Sequence, residues 1–134
     1  MPALVRIEGI GETYADKLAN ARIGTTQTLL KRGATRQGRK EIAKIAGVDG
    51  RKILNWVNRA DLFRIHGVGE EYSDLLEAAG VDTVVELAQR NPDHLVAKMV
   101  EVNERRNLVR KTPALSIVTE WIRQAKKLPR IVEY

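Results

Sequence analysis

The chain of 134 residues predicts an all-α fold built from two pseudo-symmetric units. Three observations carry that expectation. Apolar residues recur at three- and four-residue spacing with no sustained period-two alternation. Glycine, threonine, aspartate and asparagine punctuate the periodic stretches as helix stops and caps. The chain also repeats itself: Ile7–Leu30 laid over Ile65–Ala88, at an offset of 58, gives ten identities in 24 positions without a gap. Trp56-Val57-Asn58-Arg59-Ala60 then answers Trp121-Ile122-Arg123-Gln124-Ala125 at an offset of 65, so the second copy holds about seven extra residues, placed within Arg105–Lys111. The copies give two domains, 1–64 and 65–134, and repeats of this kind are supersecondary units stacked on each other.

In the first copy a short helical turn precedes Gly9, and a helix runs from Glu12 to about Ala21, where Gly24 stops it. Thr25 caps a helix to Arg32 that Gly33 ends, and Thr35 caps one to Ala46 that Gly47 ends. Asp49 caps the helix that holds Ile53, Leu54, Trp56 and Val57. In the second copy Gly80 is the stop and Thr83 the cap, and Asn91-Pro92 and Thr112-Pro113 each read as a cap followed by a first-turn proline. Leu128–Tyr134 is the one stretch open to disorder.

Composition excludes several classes of function. With no Cys there is no disulfide, zinc-thiolate site or thiol nucleophile, and His66 and His94 lie too far apart for a metal centre or triad. No apolar run approaches the roughly 18 residues of a membrane span. Met1-Pro2-Ala3-Leu4-Val5-Arg6 lacks a basic segment, apolar run and cleavage site, which leads us to expect a cytoplasmic protein. The net charge of +6 is distributed unevenly: residues 1–64 carry 13 basic and 6 acidic groups, residues 65–134 carry 10 and 11. A basic half suits a polyanion, nucleic acid first, although such a run also serves as a solvated helical face.

The pairs Gly9-Ile10-Gly11 and Gly67-Val68-Gly69 open the repeated stretch. Ile-x-Gly-hydrophobic-Gly-x-x-x-Ala/Ser-x-x-Leu fits two helices joined by a very tight hairpin, with Ile10 and Val68 plugging the turn. Ala15/Ser73 and Leu18/Leu76 then face inward at the crossing. The amides at Gly11 and beyond point out of a helix N-terminus, where an anion is favoured. This pattern resembles the helix-hairpin-helix motif, which implies that such amides hold backbone phosphates of DNA with little regard to sequence. Ala46-Gly47-Val48-Asp49-Gly50-Arg51-Lys52-Ile53 looks like the looser second hairpin of a double helix-hairpin-helix unit. The whole chain is similar to an uncharacterised prokaryotic family of tandem units, known mainly as a domain of unknown function. That resemblance implies a fold and no activity.

One departure matters. The motif usually follows its second glycine with Lys, Arg, Pro or a small residue, whereas Glu12 stands after the first hairpin and Glu70-Glu71 after the second. Carboxylates repel a phosphate, yet they also complement a helix N-terminus. For the first hairpin phosphate binding and scaffolding stand level; for the second, scaffolding is favoured. Tyr14 and Tyr72 read as packing against the following helix rather than as base-stacking residues, Trp56 and Trp121 as core, His66 as a capping or solvent residue, and Asp16 and Asp74 as solvated surface.

The resulting expectation is a non-enzymatic protein that needs no cofactor, metal or small-molecule substrate and binds duplex DNA. The candidate surface is Gly9, Ile10, Gly11, Arg36, Arg39, Lys40, Lys44, Gly50, Arg51 and Lys52, with Gly67, Val68 and Gly69 as a weaker second hairpin. The alternative is a protein-interaction or self-association module on the same scaffold, using poles of opposite charge.

Overall fold

The computed structural model describes residues 4–134, so the reading of the first three residues as lacking a leader lies outside the described residues. Among the described residues there are eight α-helices and no strand. The chain divides into two units, one formed by the residues up to Asp61 together with Ile131–Tyr134, the other by Leu62–Arg130.

In the first unit a 3-10 turn at Leu4–Arg6 precedes α1 (Glu12–Asn20), α2 (Thr26–Arg32), α3 (Arg36–Ala46) and α4 (Gly50–Leu62), the last residue of α4 falling past the division. The expected caps form: Thr25 Oγ1 accepts from the Thr28 amide at 3.1 Å and Thr35 Oγ1 from the Gly38 amide at 3.0 Å. Gly47 ends α3 in the left-handed conformation. Leu18, Ile23, Leu29, Ile42, Ile53 and Val57 are all fully buried, which is where the three-and-four pattern goes. α1 and α2 both pack on α3. A Cβ on Gly33 would strike the Val57 side chain, and one on Gly38 the Arg32 carbonyl, so Gly33 does more than end α2.

The second unit contains α5 (Glu70–Ala78), α6 (Val84–Ala88), α7 (Pro92–Arg106) and α8 (Leu115–Lys127). α8 packs on α6 and α7, and α5 on α7, around Leu75, Leu76, Leu87, Leu95, Met99, Val118 and Trp121. Thr83 and Asn91 cap as expected, with Pro92 in the first turn.

Equivalent residues of the two units hold equivalent geometry. Ile10 and Val68 each donate to the carbonyl three residues back at 3.1 Å, and Tyr14 meets Trp56 at 5.1 Å between ring centroids as Tyr72 meets Trp121 at 5.2 Å. Arg32 Nη1 donates to the Ala21 carbonyl and Arg90 Nη1 to the Ala79 carbonyl, an equivalence just past the aligned stretch.

Five expectations are corrected. α1 is stopped by Arg22, which takes φ +62°, rather than by Gly24; Gly80 does the same in the second unit at φ +93°. Thr112-Pro113 does not cap α8, which starts at Leu115 behind Ala114 with no side-chain cap. The extra residues of the second copy are not one block within Arg105–Lys111: α7 has 15 residues where α3 has 11, a long connection to α8 follows Asn107, and α6 has 5 where α2 has 7. Asn103 pins that connection by a paired hydrogen bond with the Val109 backbone, both 3.0 Å. The boundary falls at Asp61 rather than Arg64. Finally, the C-terminal segment is ordered: Val132 is buried, Glu133 N–H donates to the Ala34 carbonyl at 2.7 Å, and Tyr134 Oη donates to Asn58 Oδ1 at 2.9 Å. It closes on the first unit because Ala34 and Arg39 offer backbone and guanidinium partners there. With Arg64 and Glu133 reassigned, the units carry +5 and +1, so the excess stays with the first.

Candidate nucleic-acid interface

Gly9 holds φ +92° directly beneath Trp56, an added Cβ lying 3.5 Å from its Nε1, so only glycine makes this turn without strain. Ile10 is buried and offers the surface no side chain. Gly11 is exposed and caps α1 with extended backbone, leaving the first-turn amides of α1 facing outward behind Glu12, itself exposed.

Two ammonium groups converge beside this turn. Lys17 Nζ lies 5.6 Å and Lys52 Nζ 5.7 Å from the Tyr14 ring centroid, while Trp56 meets the same ring edge-on. Tyr14 is a packing residue, but its ring meets Trp56 of α4 rather than the helix that follows α1, and it carries cations as well. Lys17 was not among the expected site residues, although its position one helical turn after Tyr14 was a readable signal.

The remaining cations separate into three groups. Arg36, Lys40 and Lys44 are exposed and have no hydrogen-bond or ion-pair partner among the described residues. Arg51 is 91% exposed and loosely paired with Asp49 at 3.4 Å, an exposed contact that leaves it available. Its amide donates to Asp49 Oδ1 at 2.8 Å; this bond first, and then the Arg51 guanidinium, holds the Asp49 carboxyl below its ordinary pKa. Arg39 does not belong on the surface. It is buried, and its guanidinium donates to the carbonyls of Gly33 (2.9 Å), Ala34 (3.1 Å) and Glu133 (2.7 Å). These bonds tie α3 to the C-terminal segment, and burial lowers the pKa of the guanidinium.

Between α3 and the first turns of α4 lies a groove of about 340 Å³ lined by Arg36, Arg39, Lys40, Ala43, Gly50 and Leu54. Gly50, expected as a binding residue, is one wall of it.

The glycine turn of the second unit keeps the backbone geometry and has apolar residues where the first has lysines. Gly67 has φ +94° with a Cβ position 3.1 Å from Trp121 Nε1, and Val68 is buried. Gly69 is half-buried where Gly11 is exposed. The places of Lys17 and Lys52 are taken by Leu75, fully buried, and Ile117, 45% exposed. Tyr72 Oη donates to the Lys111 carbonyl at 3.4 Å in the long connection after α7, and Gln124 bonds both the N–H and the carbonyl of His66. Among the described residues no group of three metal-ligating side chains occurs, and no helix is long and apolar enough to cross a membrane.

The family model of a domain of unknown function (DUF4332) matches residues 8–128, and the chain belongs to that family. No curated protein and no solved structure matches it.

Proposed function

We propose that this chain is a non-enzymatic, sequence-independent binder of duplex DNA, built as tandem helix-hairpin-helix units of which the first does the binding. The outward amides at Gly11 would receive a backbone phosphate, flanked by Lys17 and Lys52, with Lys44 and Arg51 meeting phosphates farther along the strand. The observation that carries this reading is the convergence of Lys17 and Lys52 on Tyr14 beside the first hairpin, where the second unit has Leu75 and Ile117. These two cations offset the repulsion from Glu12 that the motif otherwise lacks.

Fluorescence anisotropy of a short random duplex, at low and moderate salt, tests it. Binding should weaken with a slope of about −0.9 in log K per phosphate neutralised. Charge reversal of Arg51 and Lys52 should abolish it at moderate salt. Affinity that is indifferent to salt, or to the reversal, refutes the reading.

A second reading, a protein-interaction or assembly module, draws on Leu115 and Ile117, each 45% exposed at the start of α8 where the first unit has Gly50 and Lys52. Sizing chromatography against concentration and salt separates the two: self-association that survives high salt, without duplex binding at low salt, favours the module.

A further inference from the structure

We propose that the groove between α3 and the first turns of α4 holds the terminal phosphate monoester of a nucleotide, with the nucleoside laid on its apolar floor. The inference goes beyond backbone binding and stands on separate observations.

Size comes first. At about 340 Å³ the groove lies at the small end of ligand pockets, which run from roughly 300 to 1,000 Å³, so it has room for one nucleotide. Its floor is apolar, made by Ala43, Leu54 and the methylene stems of the basic residues, and Gly50 adds no side chain, an added Cβ there meeting nothing within 4 Å.

Charge decides the ligand class. Three basic residues and no acid line the groove. Arg39 is committed to backbone carbonyls, but Arg36 and Lys40 have no partner among the described residues. A backbone diester brings one negative charge, whereas a terminal monoester carries about −1.5 to −2 at pH 7. Two free cations above an apolar floor match the second, the guanidinium supplying a planar fork and the ammonium a point charge. The monoester comes either from a free mononucleotide or from the phosphorylated end of a strand.

Amide-resolved NMR titration of the full chain with adenosine monophosphate, adenosine and inorganic phosphate tests the proposal. The monophosphate should move the amides of Lys40, Ala43, Gly50 and Leu54 to saturation, adenosine should move none, and inorganic phosphate should bind at least about tenfold more weakly. The double variant Arg36→Ala/Lys40→Ala should weaken the monophosphate by about 10- to 100-fold. Ala43→Trp, which fills the groove and leaves both cations in place, should abolish it; Arg36 and Lys40 are exposed and Ala43 half-buried, and circular dichroism verifies the fold of both variants. Equal affinity for inorganic phosphate and the nucleotide overturns the proposal, as does wild-type affinity in either folded variant.

Competition then assigns the source. Displacement by a duplex with phosphorylated ends, but not by the same duplex ending in hydroxyls, assigns strand ends, and displacement by neither assigns the free nucleotide. Equal displacement by both makes the groove a backbone site and overturns the proposal. The anisotropy of the hydroxyl-ended duplex, which lacks the monoester, reports backbone binding on its own, so each reading is able to fail alone.

Discussion

Gly9 and Gly67 hold the same positive φ beneath the indole of Trp56 and Trp121, yet the surfaces around them have diverged. Beside the first, two lysines approach one tyrosine ring and the hairpin's second glycine is exposed; beside the second, apolar residues stand in the lysines' places, and the long connection after α7 supplies the carbonyl that Tyr72 meets. The difference teaches that what the duplication preserved is the packing of the turn against its indole. That packing stands beside two lysines in one unit and beside apolar residues in the other.

Substitutions of the paired residues test how deep the equivalence runs. The largest effect is expected for Trp56→Ala and Trp121→Ala, each about 3–5 kcal/mol on the unfolding of its own unit, because each removes a buried indole and orphans a tyrosine ring. Urea denaturation followed by amide-resolved NMR reads the units separately; a loss confined to one variant would break the comparison.

Removal of Ile131–Tyr134 comes next. It uncovers the site of buried Val132, worth about 1.5–3 kcal/mol, and deprives Arg39 of the Glu133 carbonyl. The same NMR readout should show the first unit destabilised and the second unchanged, even though the deleted residues follow the second in sequence.

Gly9→Ala and Gly67→Ala should each cost about 1–2 kcal/mol, since both force a side chain into positive φ. Gly67→Ala should cost more, its Cβ position being 3.1 Å from the indole nitrogen against 3.5 Å for Gly9. Equal costs would mean that φ alone sets the requirement.

The smallest effect is in pH. Asp49 has a depressed pKa, so its contribution to the start of α4 is present above the unfolded aspartate value and is lost as pH falls through the lower folded value. Acid titration followed at the Arg51 amide should show a midpoint below the ordinary aspartate range. The start of α8, behind Ala114, should show no counterpart.

The all-helical class, the glycine turns, five of the caps and most of the core were legible because they rest on local rules of spacing and capping. The stop at Arg22 was misplaced because glycine is the usual left-handed residue, and Gly24 stood two positions away. Arg39 read as a surface cation because its residue type says nothing of the three carbonyls it meets, one of them contributed by residue 133. Lys17 was readable as a neighbour of Tyr14, but the approach of Lys52 to the same ring depends on how α4 packs.

By itself, then, the sequence determined most of the helix boundaries, which faces are buried, and that one turn occurs twice. These follow from neighbours within a few positions, whose sterics and hydrogen bonds are the same in any fold. Tertiary packing decided which cations remain free: it sank Arg39 beneath the C-terminal segment, brought Lys17 and Lys52 to one ring, and opened a groove under Arg36 and Lys40. A charge acts through space, so its role depends on partners that only the folded chain brings within reach.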